Sequence, residues 1–165
     1  MKTLTQPGKF QFGPFMVSLL ITLAIGIVAS LFTTPQIAGW YASLQKPAFN
    51  PPNWLFAPVW TTLYIMIAIA AYLVWKRRDT SPAYRKAKRV YFWQLLLNFS
   101  WSIIFFGLHQ VLIALMVIVL LWLSIIITMF AFKRFSATAC WLLLPYLLWV
   151  SFAALLNFSI YVLNR

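Results

Sequence analysis

The sequence holds one acidic residue (Asp79), one cysteine (Cys140) and one histidine (His109). A lone cysteine excludes an intrachain disulfide and leaves the redox compartment open. One cysteine, one histidine and one acid, far apart in the chain, cannot build a multi-ligand metal site. A hydrolase relay lacks its acid as well, because Asp79 falls within a basic stretch. His109 reads as a loop residue at the membrane surface rather than a haem ligand. Charge of either sign is scarce: 8% of 165 residues, where a soluble domain carries about a quarter. That is too little to cover a water-facing globule, whereas lipid needs no such cover. What fills the sequence is apolar: 64% hydrophobic residues and a mean hydropathy of +0.88. A net charge of +12 would suggest nucleic acid in a soluble chain. Here the basic residues sit between apolar runs and read as topology determinants and lipid-headgroup contacts, with no nucleic-acid partner.

Five apolar runs are long enough to cross about 30 Å of hydrocarbon at 1.5 Å per residue. They run from about Phe15 to Thr34, Leu55 to Trp75, Val90 to Phe106, Val111 to Phe132 and Thr138 to Leu163. Backbone groups in lipid must pair internally, and continuous rather than alternating runs mean helices. The expected fold is an all-α integral membrane bundle of five transmembrane helices, residues 1–165 forming one domain. Met1 to Pro14 reads as a short flexible tail. The first run is too long for a signal-peptide core and no small-residue cleavage site follows, so it is expected to be retained as a span.

The connections differ in kind. Gly107-Leu108-His109-Gln110 is short enough to make the third and fourth helices antiparallel neighbours. The second and third are joined by a basic stretch, Lys76 through Arg89. About twenty residues rich in proline and aromatics, Pro35 to Trp54, join the first two. Unstructured loops of that length are usually functional or disordered. With Trp40, Tyr41, Phe49 and Trp54 this one is too apolar to float in water and should fold over the bundle as a lid. Lysine and arginine bookkeeping sets the orientation. Lys2, Lys9, seven residues between Lys76 and Arg89, Lys133 and Arg134 lie on one side, eleven against Lys46 and Arg165. In a bacterial inner membrane this puts the N-terminus in the cytoplasm and the C-terminus outside.

Nine tryptophans are present. Trp75, Trp93 and Trp141, near helix ends, fit an interfacial belt, and Trp122 is expected to face lipid. Trp60, Trp101 and Trp149 share faces with polar or small residues. Gln94, Asn98, Trp101 and Phe105 form one stripe on the third helix; Pro145, Trp149, Ala153 and Asn157 form another on the fifth. Trp60 and Tyr64 lie one turn apart on the second. An amide in mid-membrane belongs inside the bundle, so Asn98 and Asn157 mark inward faces, either as interhelical hydrogen bonds or as the polar groups of a cavity for a flat apolar ligand. Gly26 to Ser30 on the first helix is a small-xxx-small pattern, equally suited to packing within the bundle and to a homodimer.

The run Trp40-Tyr41-Ala42-Ser43-Leu44-Gln45-Lys46-Pro47-Ala48-Phe49-Asn50-Pro51-Pro52-Asn53-Trp54, followed by Pro58-Val59-Trp60-Thr61-Thr62-Leu63-Tyr64, resembles the TspO/MBR family. That family comprises the tryptophan-rich sensory proteins and the mitochondrial translocator protein, or peripheral-type benzodiazepine receptor. The resemblance continues through Gln94 to Trp101, Phe105-Phe106-Gly107, Pro145 to Trp149, Phe152-Ala153 and Leu156-Asn157, covering nearly the whole chain. It implies five spans and a membrane receptor for porphyrins (protoporphyrin IX, haem), sterols and benzodiazepine-type ligands, held between the helices under the first loop. No resident cofactor is required; the porphyrin is the ligand. The matching pocket positions are Tyr41, Trp60, Asn98, Trp101, Trp149 and Ala153. With Trp54, Tyr64 and Asn157, which come from the lid and the helix faces, they make up the candidate site.

Some bacterial members of that family promote light- and oxygen-dependent porphyrin breakdown. The resemblance then implies a chemical role for Trp60 and Trp149, and transport of porphyrin or sterol is a third class of activity. The chain departs from the animal members at their sterol motif, with Phe158 and Val162 at the aligned tyrosine and arginine, and at Ile113, where they carry tryptophan. The expected setting is therefore a bacterial membrane.

Overall fold

The computed structural model describes residues 9–165. Among them five helices are long and apolar enough to cross a membrane: Phe12–Ile37, Asn53–Lys76, Pro82–Gly107, Val111–Lys133 and Ala137–Leu163. The chain is an integral membrane protein, all-helical as its apolar runs predict. The first span packs on the second, the third on the fourth and the fourth on the fifth, and the fifth returns to the second. The predicted flexible tail is corrected at its inner end, where Phe12 to Pro14 already form the first helical turn. Proline is tolerated there because the first amides have no helical acceptor. The rest of that tail up to residue 8, with Lys2, lies outside the described residues.

The third span begins at Pro82, two turns before the predicted Val90. Its start is capped: Ser81 Oγ accepts from the Tyr84 N–H (3.1 Å), and Asp79 accepts from the Ser81 N–H (3.0 Å) and from its hydroxyl. Lys, Arg and Ala favour helix, so the basic residues from Arg85 to Arg89 extend the span instead of looping out. The fifth span, predicted as continuous, is interrupted at Leu143. Pro145 removes one amide donor and its ring crowds the preceding turn.

The first span has little apolar burial of its own. Only Thr22 and Ala29 are fully buried within it. Hydroxyl bonds hold it to its neighbours instead. Ser18 Oγ donates to the Ala68 carbonyl (2.8 Å), Thr22 pairs with the Tyr91 hydroxyl (2.7 Å), and Thr33 pairs with Ser102 (2.7 Å). Gly26 lets the span approach the second helix closely, because a Cβ there would stand 2.4 Å from the Tyr64 ring. Packing within the chain therefore accounts for that glycine.

Candidate functional site

The first loop is ordered. Residues Trp40–Ser43 form one helical turn whose free carbonyls are met by a lysine: Lys46 Nζ donates to the carbonyls of Tyr41 (2.8 Å), Ala42 (3.2 Å) and Leu44 (2.9 Å). The Tyr41 hydroxyl donates to Asn50 Oδ1 (2.7 Å). The loop is fastened at two edges. Trp40 stacks on His109 (centroids 4.2 Å apart, planes 16° apart), whose Nε2 lies 3.2 Å from Gln36 Oε1. The Gln45 N–H donates to Asn164 Oδ1 and Asn164 Nδ2 donates back to the Gln45 carbonyl, each at 2.9 Å. Tyr41 is buried on Phe56 and Phe106, and burial pushes its phenol up to about 12 from the ordinary 10. Expectation and structure part at the loop's far end. Trp54 is 71% exposed and Phe49 46% exposed, so half of the loop's large aromatics stand outward.

Beneath this loop lies a cavity of about 380 Å³ between the first three spans. Tyr41, Phe56, Trp60, Tyr64, Trp101 and Phe106 give it aromatic walls. Asn98 and the hydroxyls of Ser30, Thr33 and Thr61 supply its polar groups. A second, narrow space of about 20 Å³ lies beyond, against the fifth span, and it is there that Trp149, Ala153 and Asn157 are found. Five residues border both spaces and form the partition: Tyr41, Phe56, Trp60, Trp101 and Phe106. Trp60 stacks on Tyr64 (5.6 Å), and its ring centroid is 6.5 Å from that of Trp101. The nine candidate residues thus fall into three groups. Tyr41, Trp60, Tyr64, Asn98 and Trp101 line the large cavity. Trp149, Ala153 and Asn157 line the small cleft alone, and Trp54 lines neither.

Both inward amides are held by protein partners. Asn98 accepts from the Tyr64 hydroxyl (2.7 Å) and donates to the Tyr146 hydroxyl (3.1 Å), tying the second, third and fifth spans. Asn157 accepts from Trp101 Nε1 (3.1 Å) and donates to the Val111 carbonyl (3.0 Å), tying the fifth span to the third and fourth. Each bond is worth about 0.6 kcal/mol in a membrane bundle. Two other polar groups lack hydrogen-bond partners among the described residues although buried: the Trp149 indole N–H and both ends of the Gln94 amide. Trp122 does not simply face lipid. Its Nε1 donates to Ser151 Oγ (2.8 Å), linking the fourth span to the fifth.

The third span ends in a widened π turn, Ile103–Gly107, in which the Leu108 N–H reaches the Ile103 carbonyl (2.9 Å). Adjacent Phe105 and Phe106 are both buried there and both face the small cleft. Nothing in Ile-Ile-Phe-Phe-Gly departs from ordinary helical patterning, so the π turn carried no local signal. The first-span lining is different. Gly26, Ser30 and Thr33 recur at helical spacing as a small, hydroxylated stripe, of which the small-xxx-small pattern Gly26 to Ser30 was the legible part.

The sequence profile of the TspO/MBR family matches residues 18–163. The chain is 46% identical over 149 residues to the tryptophan-rich protein TspO of Archaeoglobus fulgidus, covering 90% of this chain and 95% of that protein. It is 37% identical over 154 residues to the translocator protein of Homo sapiens, covering 90% of each. To the tryptophan-rich sensory protein of Cereibacter sphaeroides it is 38% identical over 125 residues, covering 76% and 77%.

Proposed function

The chain belongs to the TspO/MBR family, and on that footing we propose that it is a membrane receptor for porphyrin-class ligands such as protoporphyrin IX and haem, taken up beneath the first loop. The membrane sensor and translocator character comes with the family; the ligand and its seat are this proposal. The observation that carries it is the cavity of about 380 Å³ under the ordered loop, within the 300–1,000 Å³ usual for small-molecule sites. Its make-up suits a flat π system. Indole and phenol rings offer stacking worth about 0.5–1.5 kcal/mol beyond area burial, and a few hydroxyls and one amide can orient the ligand. A macrocycle lying on Trp60 reaches Trp149 and Ala153 only if the Trp60–Trp101 partition swings aside. The Trp149 N–H then offers a buried donor to an acceptor on the ligand.

The test is titration of the purified protein with protoporphyrin IX in darkness, followed by tryptophan quenching and porphyrin absorbance. Ser30→Phe, which fills the cavity, should abolish binding, while Trp149→Phe should weaken it only modestly because an aromatic face remains. Undiminished binding in Ser30→Phe would refute the seat. Illumination of the same samples tests the photochemical reading, in which Trp60 and Trp149 exchange electrons with excited porphyrin. New absorbing species in the parent, lost in Trp149→Phe while binding persists, would support it.

We also propose a cytoplasmic N-terminus, from the eleven-to-two distribution of lysine and arginine. A cysteine at the exposed position 54 should react with a membrane-impermeant maleimide added to intact cells. Labelling only after lysis would reverse the orientation.

A further inference from the structure

A second large space lies at the opposite, basic end of the bundle. It is a groove of about 520 Å³ whose floor includes Ala71, Val74 and Phe132 and whose outer rims are the first span (Gly13, Val17, Ile21) and the third (Lys88, Phe92). Val17 and Phe92 are about half exposed, so the groove opens sideways towards the acyl chains of a bilayer. Its mouth is polar and basic in balance, with Arg78 and the single acid Asp79 both near Tyr84. Tyr84 and Lys88, one turn apart on the third span, both line it. Trp75 closes the other side of the mouth, with the Arg78 guanidinium 3.8 Å from its ring centroid. Lys88 lies two residues before the apolar run that starts at Val90, hence at headgroup depth. The sole acid of the chain, Asp79, holds the amide and hydroxyl of Ser81 at the helix cap. Lys88 has no hydrogen-bond or ion-pair partner among the described residues.

We propose that this groove binds one anionic phospholipid of the bilayer, with an acyl chain between the first and third spans and the phosphate on Lys88 and Tyr84. An apolar slot continuous with the lipid phase selects a chain, and a cation beside a phenol donor at its mouth selects a phosphate that carries net negative charge. A zwitterionic headgroup would place its own ammonium in this basic field. The site is separate from the cavity under the first loop and stands whether or not that cavity takes porphyrin.

Native mass spectrometry of the full chain, equilibrated with equal amounts of phosphatidylglycerol and phosphatidylcholine of the same chain length, tests it. The parent should retain a single phosphatidylglycerol in preference. Lys88→Gln should lower the phosphatidylglycerol-to-phosphatidylcholine ratio about fivefold. Lys86→Gln, two residues away and about 200° round the same helix, should leave it nearly unchanged. Gly13→Leu tests the chain half of the site. A Cβ at Gly13 meets nothing within 4 Å among the described residues, so leucine there has room at the groove's rim and should reduce retention of both lipids. Equal retention of the two lipids by the parent, equal effects of the two lysine changes, or undiminished retention in Gly13→Leu would each overturn the proposal.

Discussion

Two glycines of the first span should respond to alanine with opposite signs. A methyl at Gly26 would lie 2.4 Å from Cε2, 2.6 Å from Cδ2 and 3.1 Å from Cζ of Tyr64. That ring has little freedom to retreat, since its hydroxyl is bonded to Asn98 and its face stacks on Trp60. Overpacking of this kind costs about 1–3 kcal/mol. Displacing the ring also forfeits the Asn98 bond, about 0.6 kcal/mol, while replacing a helical glycine returns about 1 kcal/mol. The net is a loss of about 0.6–2.6 kcal/mol, or roughly 2–8 °C in the melting temperature of a chain this size. At Gly13 a Cβ would meet nothing within 4 Å among the described residues, so only the favourable term remains, and Gly13→Ala should gain about 0.5 kcal/mol. Thermal unfolding of both variants in one detergent measures the pair. In a Tyr64→Ala background the Gly26→Ala penalty should vanish. A Gly26→Ala protein as stable as Gly13→Ala would mean that the first two spans do not approach as described.

Other consequences are open to measurement. Gln94→Leu removes a buried amide whose two ends have no partner among the described residues and should raise stability by about 1–2 kcal/mol in the same assay; a loss would show that the amide is satisfied. Asn164→Ala breaks both bonds to Gln45, and the Gln45 amide should exchange about 5–30-fold faster; an unchanged rate would mean that the loop is held elsewhere. The Tyr41 phenol, raised to about 12 by burial, keeps its proton through pH 10. Its contribution to holding the loop is complete below the unfolded value near 10 and is lost as pH rises through about 12. The phenolate absorbance difference between the parent and Tyr41→Phe should therefore step near pH 12, and a step near 10 would contradict the burial.

The spans were legible because each is a long apolar run and lipid tolerates no alternative to the helix. Two boundaries were not. Lys76 to Arg89 looks like a loop when charge is taken as the sign of water, yet Ser81-Pro82 is a good capping pair and the residues after it favour helix. The proline that breaks the fifth span was visible; that the break falls at Leu143 depends on how the two pieces pack. Helical spacing gave the inward faces of Asn98, Trp101, Trp149 and Asn157. A face gives a direction, however, and not what stands opposite. That the fifth-span residues lie behind a Trp60–Trp101 partition follows from the lateral order of the helices, which no single stripe encodes. Trp54 misled because large apolar side chains at a membrane surface need not be covered by protein.

The paired amide bonds between Gln45 and Asn164 make the end of the fifth span a latch for the loop over the cavity. Arg165 follows immediately. Any cargo attached there, whether a purification tag, a fluorescent protein or a topology reporter, hangs its weight and its thermal agitation one residue from the catch. Such fusions would then report on a loosened loop, with ligand exchange accelerated for mechanical reasons unrelated to the native chain. Handles for binding work belong at the other end of the sequence, or behind a slack linker.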